Sequence, residues 1–156
     1  DDGTRVFAHR IILASQSTVL RPLLEDSVFS ERDKKELPLP GVGADELSVV
    51  LQYIYCGTNS LVVRSDVVAI GAMTLADRWL LTPLVRHLSL TLQKLLCLEN
   101  CFMLCESLVD IAEGCAAAEV QQLRAAAANF CLRNYHDVFE HDETREHLKS
   151  AIECLM

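Results

Sequence analysis

Apolar and polar positions change period several times along this chain. Asp2-Gly3 is a hairpin-type turn signal, and Thr4 to Ala8 then alternates as a strand does. A strand this short, entered through a turn, wants a partner before it, so the chain reads as cut at its N-terminus. From His9 to Ala14 the period becomes helical. Ser17 is placed to cap a helix running through Glu25, with Val19, Leu20, Leu23 and Leu24 on one face. Pro22 lies past that cap, where it removes an intrahelical donor and should kink the turn. Glu25 to Lys35 is polar and charged, a surface loop. Glu36 to Leu39 reads as a second short strand, ended by Pro40-Gly41.

Ala44 to Tyr55 carries Leu47, Val50, Leu51 and Ile54 at helical spacing, and Gly57 stops that helix. Ser65 caps the next helix, about Asp66 to Trp79. Thr82-Pro83 reads as an N-cap followed by proline at the first helical position, opening a helix to about Leu96. The rest reads as helices: Glu99 to Ala112, stopped near Gly114; Ala117 to Leu132; a short one at Tyr135 to Phe139; and Thr144 to Leu155. The expected class is α+β, a small sheet of two or three short strands with surrounding helices, followed by an all-helical extension.

Composition narrows the function. The 156 residues are 51% hydrophobic and 23% charged, enough to bury a core without disulfides or metal. A formal net charge of −8, with no basic patch, argues against nucleic acid and against an anionic membrane surface. The best candidate for a membrane span, Val67 to Val85, is broken by Asp77 and Arg78. No signal peptide is legible, and the first residue is not a natural start. Seven cysteines in mostly apolar helical sequence read as reduced thiols of a cytoplasmic or nuclear protein.

Two stretches carry a family resemblance. Val6-Phe7-Ala8-His9-Arg10-Ile11-Ile12-Leu13-Ala14-Ser15 runs a strand into a His-Arg pair and an apolar helical turn. Forty residues on, Gln52-Tyr53-Ile54-Tyr55-Cys56-Gly57 closes a helix. In this order and spacing they resemble a BTB/POZ domain over residues 1–96, with the family's N-terminal helix and first strand missing. Residues 97–156 resemble the helical BACK-type extension, and 112–137 are similar to the C-terminal helices of speckle-type POZ proteins and related cullin-3 adaptors. Thr18 where proline is common, Pro22, and Cys56 for the usual threonine depart from the pattern.

The resemblance implies a module that binds proteins and catalyses nothing, with no cofactor and no metal. In adaptors of this family a hydrophobic-x-Glu motif after the second core helix docks on cullin-3. Phe29-Ser30-Glu31 occupies that loop here. Phe29 would anchor in an apolar groove and Glu31 would orient at its rim. Tyr53 and Tyr55, at the end of the neighbouring helix, would line the same surface. The implied partners are cullin-3, a second copy of the chain, with self-association dependent on the missing strand, and an unknown protein substrate. The open alternative is a BTB oligomerisation or scaffolding module of a larger transcriptional or cytoskeletal protein that never meets a cullin.

Other chemistry is weaker. No nucleophile or carboxylate is fixed beside His9, which reads as structural at a strand–helix junction. Cys97, Cys101 and Cys105, at i, i+4 and i+8, would share one helix face spread over about 12 Å, too long to hold one ion. Core packing is the better reading. Cys115, after the Gly114 stop, is the expected reactive thiol. Asp137, Glu140, Asp142, Glu143 and Glu146 read as a solvated acidic face, and Ala116 to Ala128 as a close-packed helix.

Overall fold

The computed structural model of the chain describes residues 4–25, 36–63, 65–108, 111 and 117–134. They fall into two compact units, Asp1–Val85 and Arg86–Met156. Among the described residues seven α-helices follow in order: α1 Arg10–Gln16, α2 Leu20–Glu25, α3 Ala44–Cys56, α4 Asp66–Arg78, α5 Thr82–Lys94, α6 Cys101–Ser107 and α7 Ala117–Arg133, with a 3₁₀ turn at Thr58–Ser60.

The sequence reading of an α+β fold is corrected by this architecture: among the described residues there is no strand and no sheet. Neither segment expected to be a strand, Thr4 to Ala8 or Glu36 to Leu39, has strand structure among the described residues. Residues 4–9 alternate in sequence, yet Val6 and Phe7 are both exposed, Phe7 at 97%. Glu36 to Leu39 contains Pro38, which has no N–H to give to a ladder. Arg5 of the first segment pairs with Glu36 of the second at 3.2 Å. Alternation alone does not make a strand, because a ladder needs a second backbone in register.

In the first unit α4 is the core helix. It buries Ala69, Ile70, Ala72, Met73, Leu75 and Ala76, nearly all round, as a central helix must. Helix α3 packs on it through Val49, Val50 and Ile54. Leu47 and Leu51 of the expected face are half-buried. Ser65 caps α4 as its sequence implies, its Oγ accepting from the Val68 N–H at 3.2 Å. Gly57, at φ 75°, ends α3 in a conformation that disfavours any side chain, and its N–H bonds the Tyr53 carbonyl at 2.8 Å.

The passage from α4 to α5 differs from the sequence expectation by one residue. Leu80 adopts φ 54°, the left-handed conformation usually left to glycine at a helix end. The Leu81 N–H then reaches back to the Ala76 carbonyl (2.8 Å) and the Leu80 N–H to that of Asp77 (2.9 Å). This is the Schellman pattern. The Leu81 carbonyl in turn accepts from Leu84 (2.9 Å) and Val85 (3.1 Å), so Leu81 both closes α4 and opens α5. Thr82 and Pro83 become the first two helical residues, where a missing proline N–H costs nothing.

In the second unit α6 packs against α7. Leu88 and Leu92 of α5, Cys101, Phe102 and Leu104 of α6, and Val120, Leu123 and Ala127 of α7 are buried. Helix α6 begins two residues after the expected Glu99, because buried Asn100 diverts the chain before it. Its Oδ1 accepts from the Cys97 N–H (2.8 Å) and its Nδ2 donates to the Leu95 carbonyl (2.9 Å). Cys97 is thereby left outside α6, so the expected three-cysteine face shrinks to Cys101 and Cys105. Among the described residues no helix is long and apolar enough to cross a membrane. The helices expected at 135–139 and 144–155, and the acidic face at 137–146, lie outside the described residues.

Candidate partner-binding site

Two helices of seven and six residues, α1 and α2, lead into the segment that carries the expected motif. Helices this short do not hold themselves together, and here each end is tied by a side chain from elsewhere. Arg10, the second residue of the His-Arg pair, donates from Nη2 to the Leu24 carbonyl at 2.8 Å. Arg21 donates from Nε to the Ala14 carbonyl at 3.1 Å. Each helix therefore supplies an arginine to the carbonyl end of the other, where cations and extra donors are favoured.

Ser17 joins this pair to α4. Its hydroxyl accepts from the N–H groups of Leu20 (3.0 Å) and Val19 (3.2 Å), two donors left open at the start of α2. The same hydroxyl donates to the Trp79 carbonyl at 2.7 Å. That carbonyl sits at the C-cap of α4 and has no partner within its own helix. One buried oxygen thus satisfies the end of one helix and the beginning of another. Pro22 then removes the donor after the Arg21 N–H···Ser17 carbonyl bond (3.0 Å), and the regular helix starts only at Leu20.

Tyr55 stands at the same edge. Its hydroxyl accepts from the His9 backbone N–H at 2.8 Å and lies 2.8 Å from His9 Nδ1. The hydroxyl oxygen can serve the backbone N–H and the imidazole together, so one side chain holds both the main chain and the ring of His9. The rings meet edge to face with centroids 5.9 Å apart. His9 is also the residue whose carbonyl takes the first N–H bonds of α1, from Ile12 (3.0 Å) and Leu13 (3.1 Å). His9 stands where an extended segment enters α1. Tyr53, two positions earlier on α3, faces another direction and is half-buried, and burial pushes its phenol pKa up.

Of the four residues expected to bind a partner, the structure therefore places Tyr55 at the surface beside His9 and Tyr53 partly within it. Phe29 and Glu31 lie outside the described residues. The two ends of their segment are described: Glu25 closes α2, one residue after the carbonyl held by Arg10, and Glu36 pairs with Arg5. Arg5, His9 and Arg10 are near neighbours in sequence, so both ends of the motif segment are tied to the stretch on which Tyr55 is clasped. Around that stretch three large apolar side chains are exposed: Val6 at 45%, Phe7 at 97% and Ile11 at 76%.

Sequence reasoning missed the arginine exchange between α1 and α2, whose signal is one arginine in the first turn of each helix. It also missed Glu46, whose carboxylate accepts the Gly43 N–H at 3.0 Å and supplies half of a capping box at the start of α3. A side chain on Gly71 of α4 would collide with that carboxylate. The signal there is an acid three residues after Gly43. An open depression lined by Gly41, Val42, Glu46, Gly71, Thr74, Leu75 and Arg78 adjoins it, but its acid is already engaged in capping. Among the described residues no three His, Cys, Asp or Glu side chains are grouped to hold a metal ion.

Comparison with known proteins agrees with the two motif stretches. Residues 1–96 match the BTB/POZ domain. The chain is 31% identical over 147 residues to Kelch-like protein 11 of Homo sapiens, a match covering 90% of the chain and 19% of that protein. It is 28% identical over 149 residues to BTB/POZ domain-containing protein 9 of Drosophila melanogaster, covering 96% and 19%. It is 26% identical over 99 residues to Armadillo BTB Arabidopsis protein 1 of Arabidopsis thaliana, covering 64% and 13%. The chain spans less than a fifth of the length of each of these relatives. With more than half of its residues matched and its His-Arg and Tyr-Ile-Tyr stretches at the edge just described, the chain belongs to the BTB/POZ family of protein-interaction modules.

Proposed function

We propose that this chain is the BTB–BACK part of a substrate adaptor for a cullin-3 RING ubiquitin ligase, working in the cytoplasm or nucleus. Residues 1–96 would dock the cullin and self-associate, and 97–156 would form the BACK-like extension. The observation that supports the reading is the pair of ties at the described residues on either side of the motif segment. Phe29-Ser30-Glu31 lies between two described ends, Glu25 and Glu36, both tied to the stretch that clasps Tyr55. Phe29 supplies the apolar anchor, Glu31 the charged rim contact, and Tyr55 a rigid amphipathic wall. Tyr53, half-buried on α3, contributes less contact area.

Titration calorimetry of the chain against the N-terminal domain of cullin-3 tests this. Submicromolar binding is expected, weakened by more than about tenfold in Phe29→Ala and in Glu31→Lys. Unchanged affinity in both variants removes the motif from the interface. No binding at all removes the cullin reading.

A second reading, an oligomerisation or scaffolding module without a cullin, is favoured by the exposed Val6, Phe7 and Ile11. Three large apolar side chains on one short stretch suit a self-contact, a second copy presenting the same residues. Sedimentation at rising concentration separates the readings: Phe7→Glu should hold the chain as a monomer while leaving cullin binding within about threefold, if the two surfaces are distinct.

A further inference from the structure

Reactive side chains offer little beyond the partner-binding edge. Cys56 is the exposed thiol among the described residues, and Cys115, expected from sequence to be the reactive one, lies outside them. The backbone offers more. Among the described residues Leu80 is the one residue with a side chain that adopts a positive φ, at 54°. That conformation brings Cβ close to the following carbonyl, and at a helix end it is usually left to glycine or asparagine. The other positive-φ positions, at 72° and 75°, are Gly41 and Gly57.

The side chain at this position is only half covered. Leu80 is 49% exposed, between Trp79 at 5% and Leu81 at 2%. The bonds that close the turn are made by backbone groups, so glycine would keep every one of them. A singly exposed leucine is ordinary. One held in a conformation that its own Cβ disfavours is not, because strain of this kind collects at binding and switch sites. The surroundings point to the partner-binding edge. The Trp79 carbonyl, one residue before, accepts from Ser17 Oγ at 2.7 Å, so Leu80 leaves from the fixed point where α4 ends and α2 begins. Pro83, three residues on, is exposed, and so is Arg78, two residues back. On a chain of net charge −8, this corner offers apolar surface with a cation at its rim. It suits an apolar side chain with an acidic neighbour.

We propose, resting on the cullin reading above, that Leu80 is a contact residue of the partner-binding edge, held in its left-handed turn to set an apolar side chain against the docked cullin. The cullin surface supplies an apolar side chain to Leu80 and Pro83 and a carboxylate to Arg78. Leu80 meets the partner at the start of α2, and the motif segment follows the end of that helix. The strain is present in the free protein and in the complex alike, so it costs fold stability and not affinity. Removing the side chain therefore relieves the fold while weakening the complex, a pair of effects that a leucine kept for packing does not give.

The test pairs urea unfolding with titration calorimetry against the N-terminal domain of cullin-3, on the same preparations. Leu80→Gly should unfold at the wild-type urea concentration or above it, and bind the cullin about fivefold or more weakly. Leu80→Asn, which also tolerates the left-handed region, should do the same. Leu80→Met keeps both the strain and an apolar side chain, and should bind within about twofold of the wild type. Wild-type affinity in both Leu80→Gly and Leu80→Asn overturns the proposal. So does a lowered unfolding midpoint in both, which makes Leu80 a packing residue. Failure of the cullin reading looks different: the wild type itself does not bind, and the Leu80 contact falls with it. Binding that is lost in Phe29→Ala but untouched in Leu80→Gly overturns the Leu80 contact alone.

Discussion

Helices α1 and α2 are held together by the polar ends of side chains, whereas α6 and α7 are held by their apolar bodies. Arg10, Arg21 and Ser17 each reach a backbone carbonyl at 3.1 Å or less. Phe102, Leu104, Val120, Leu123 and Ala127 instead fill space. The difference follows from length. A six- or seven-residue helix has few internal bonds and two ends of unsatisfied groups, so its stability depends on what meets those ends. The 17-residue α7 can present a whole stripe to a neighbour. A surface that must keep one shape to receive a partner is well served by the first kind of contact, which fixes angles as well as proximity.

The largest effect should come from emptying the second kind. Leu123→Ala in α7 removes a side chain that is 1% exposed, at a cost of about 2–5 kcal/mol. Urea unfolding monitored by hydrogen exchange within α7 would show it. A loss below about 1 kcal/mol would mean that α7 is not held by packing, and the contrast with α1–α2 would fail.

Ser17→Ala should come next, at about 2–3 kcal/mol, although it deletes a single atom. It strands the Trp79 carbonyl and the Leu20 N–H in a buried place, and each would carry its desolvation penalty without return. Ser17→Thr keeps the hydroxyl and should recover most of the loss. If Ala and Thr behave alike, Ser17 matters for its size and not for its bonds. Arg10→Met and Arg21→Met should each cost about 1 kcal/mol, because the arginine stems still cover the surface while the charge-assisted bonds are gone. The two losses should be less than additive, since either break frees the same pair of helices. The sharper readout is functional: Arg10→Met loosens the Leu24 carbonyl from which the Phe29–Glu31 segment departs, so partner affinity should fall more than stability.

The polar contacts were the more legible in sequence. Serines at helix starts, Gly57 at a helix end and the His-Arg pair have fixed chemistry at fixed spacing, and Ser17, Ser65, Gly57 and His9 all act where sequence places them. What escaped depends on meetings across the chain. Thr4 to Ala8 has a strand's alternation, but alternation says nothing about whether a second backbone is present to pair with it. The Thr82 cap was misplaced by one residue because Leu80 fills a left-handed position for which the sequence signal is glycine. Asn100 delays the start of α6 through bonds to Leu95 and Cys97, and an isolated asparagine gives no sign of that. Cys131, packed against the buried Cys101–Phe102 cluster, is 30 residues from Cys101 in sequence and was invisible as part of that cluster. Of the candidate site, Tyr55 was legible as a helix-end residue, while the His9 clasp that orients it was not.

The smallest effect separates the two regions by charge. The arginine bonds between α1 and α2 end on carbonyl oxygens, which do not titrate in any ordinary range, so these ties should be indifferent to pH. In the second unit Arg86 donates from Nε to Glu119 at 2.6 Å, at the first turn of α7. The backbone N–H of Glu119 and then the Arg86 guanidinium lower the pKa of that carboxyl from its ordinary 4.5. A lowered pKa means that folding favours the ionised form. The contribution is complete above the unfolded value near 4.5 and disappears as pH falls through the lower folded value. Glu119→Gln should therefore melt slightly below the wild type at pH 7, with the gap closing as both are acidified below pH 4 and shrinking in high salt. Arg21→Met, run alongside, should keep the same gap from the wild type across that acid range. If its gap also closes, the carbonyl ties of α1–α2 are coupled to a titrating group, and the division between the two regions is one of degree.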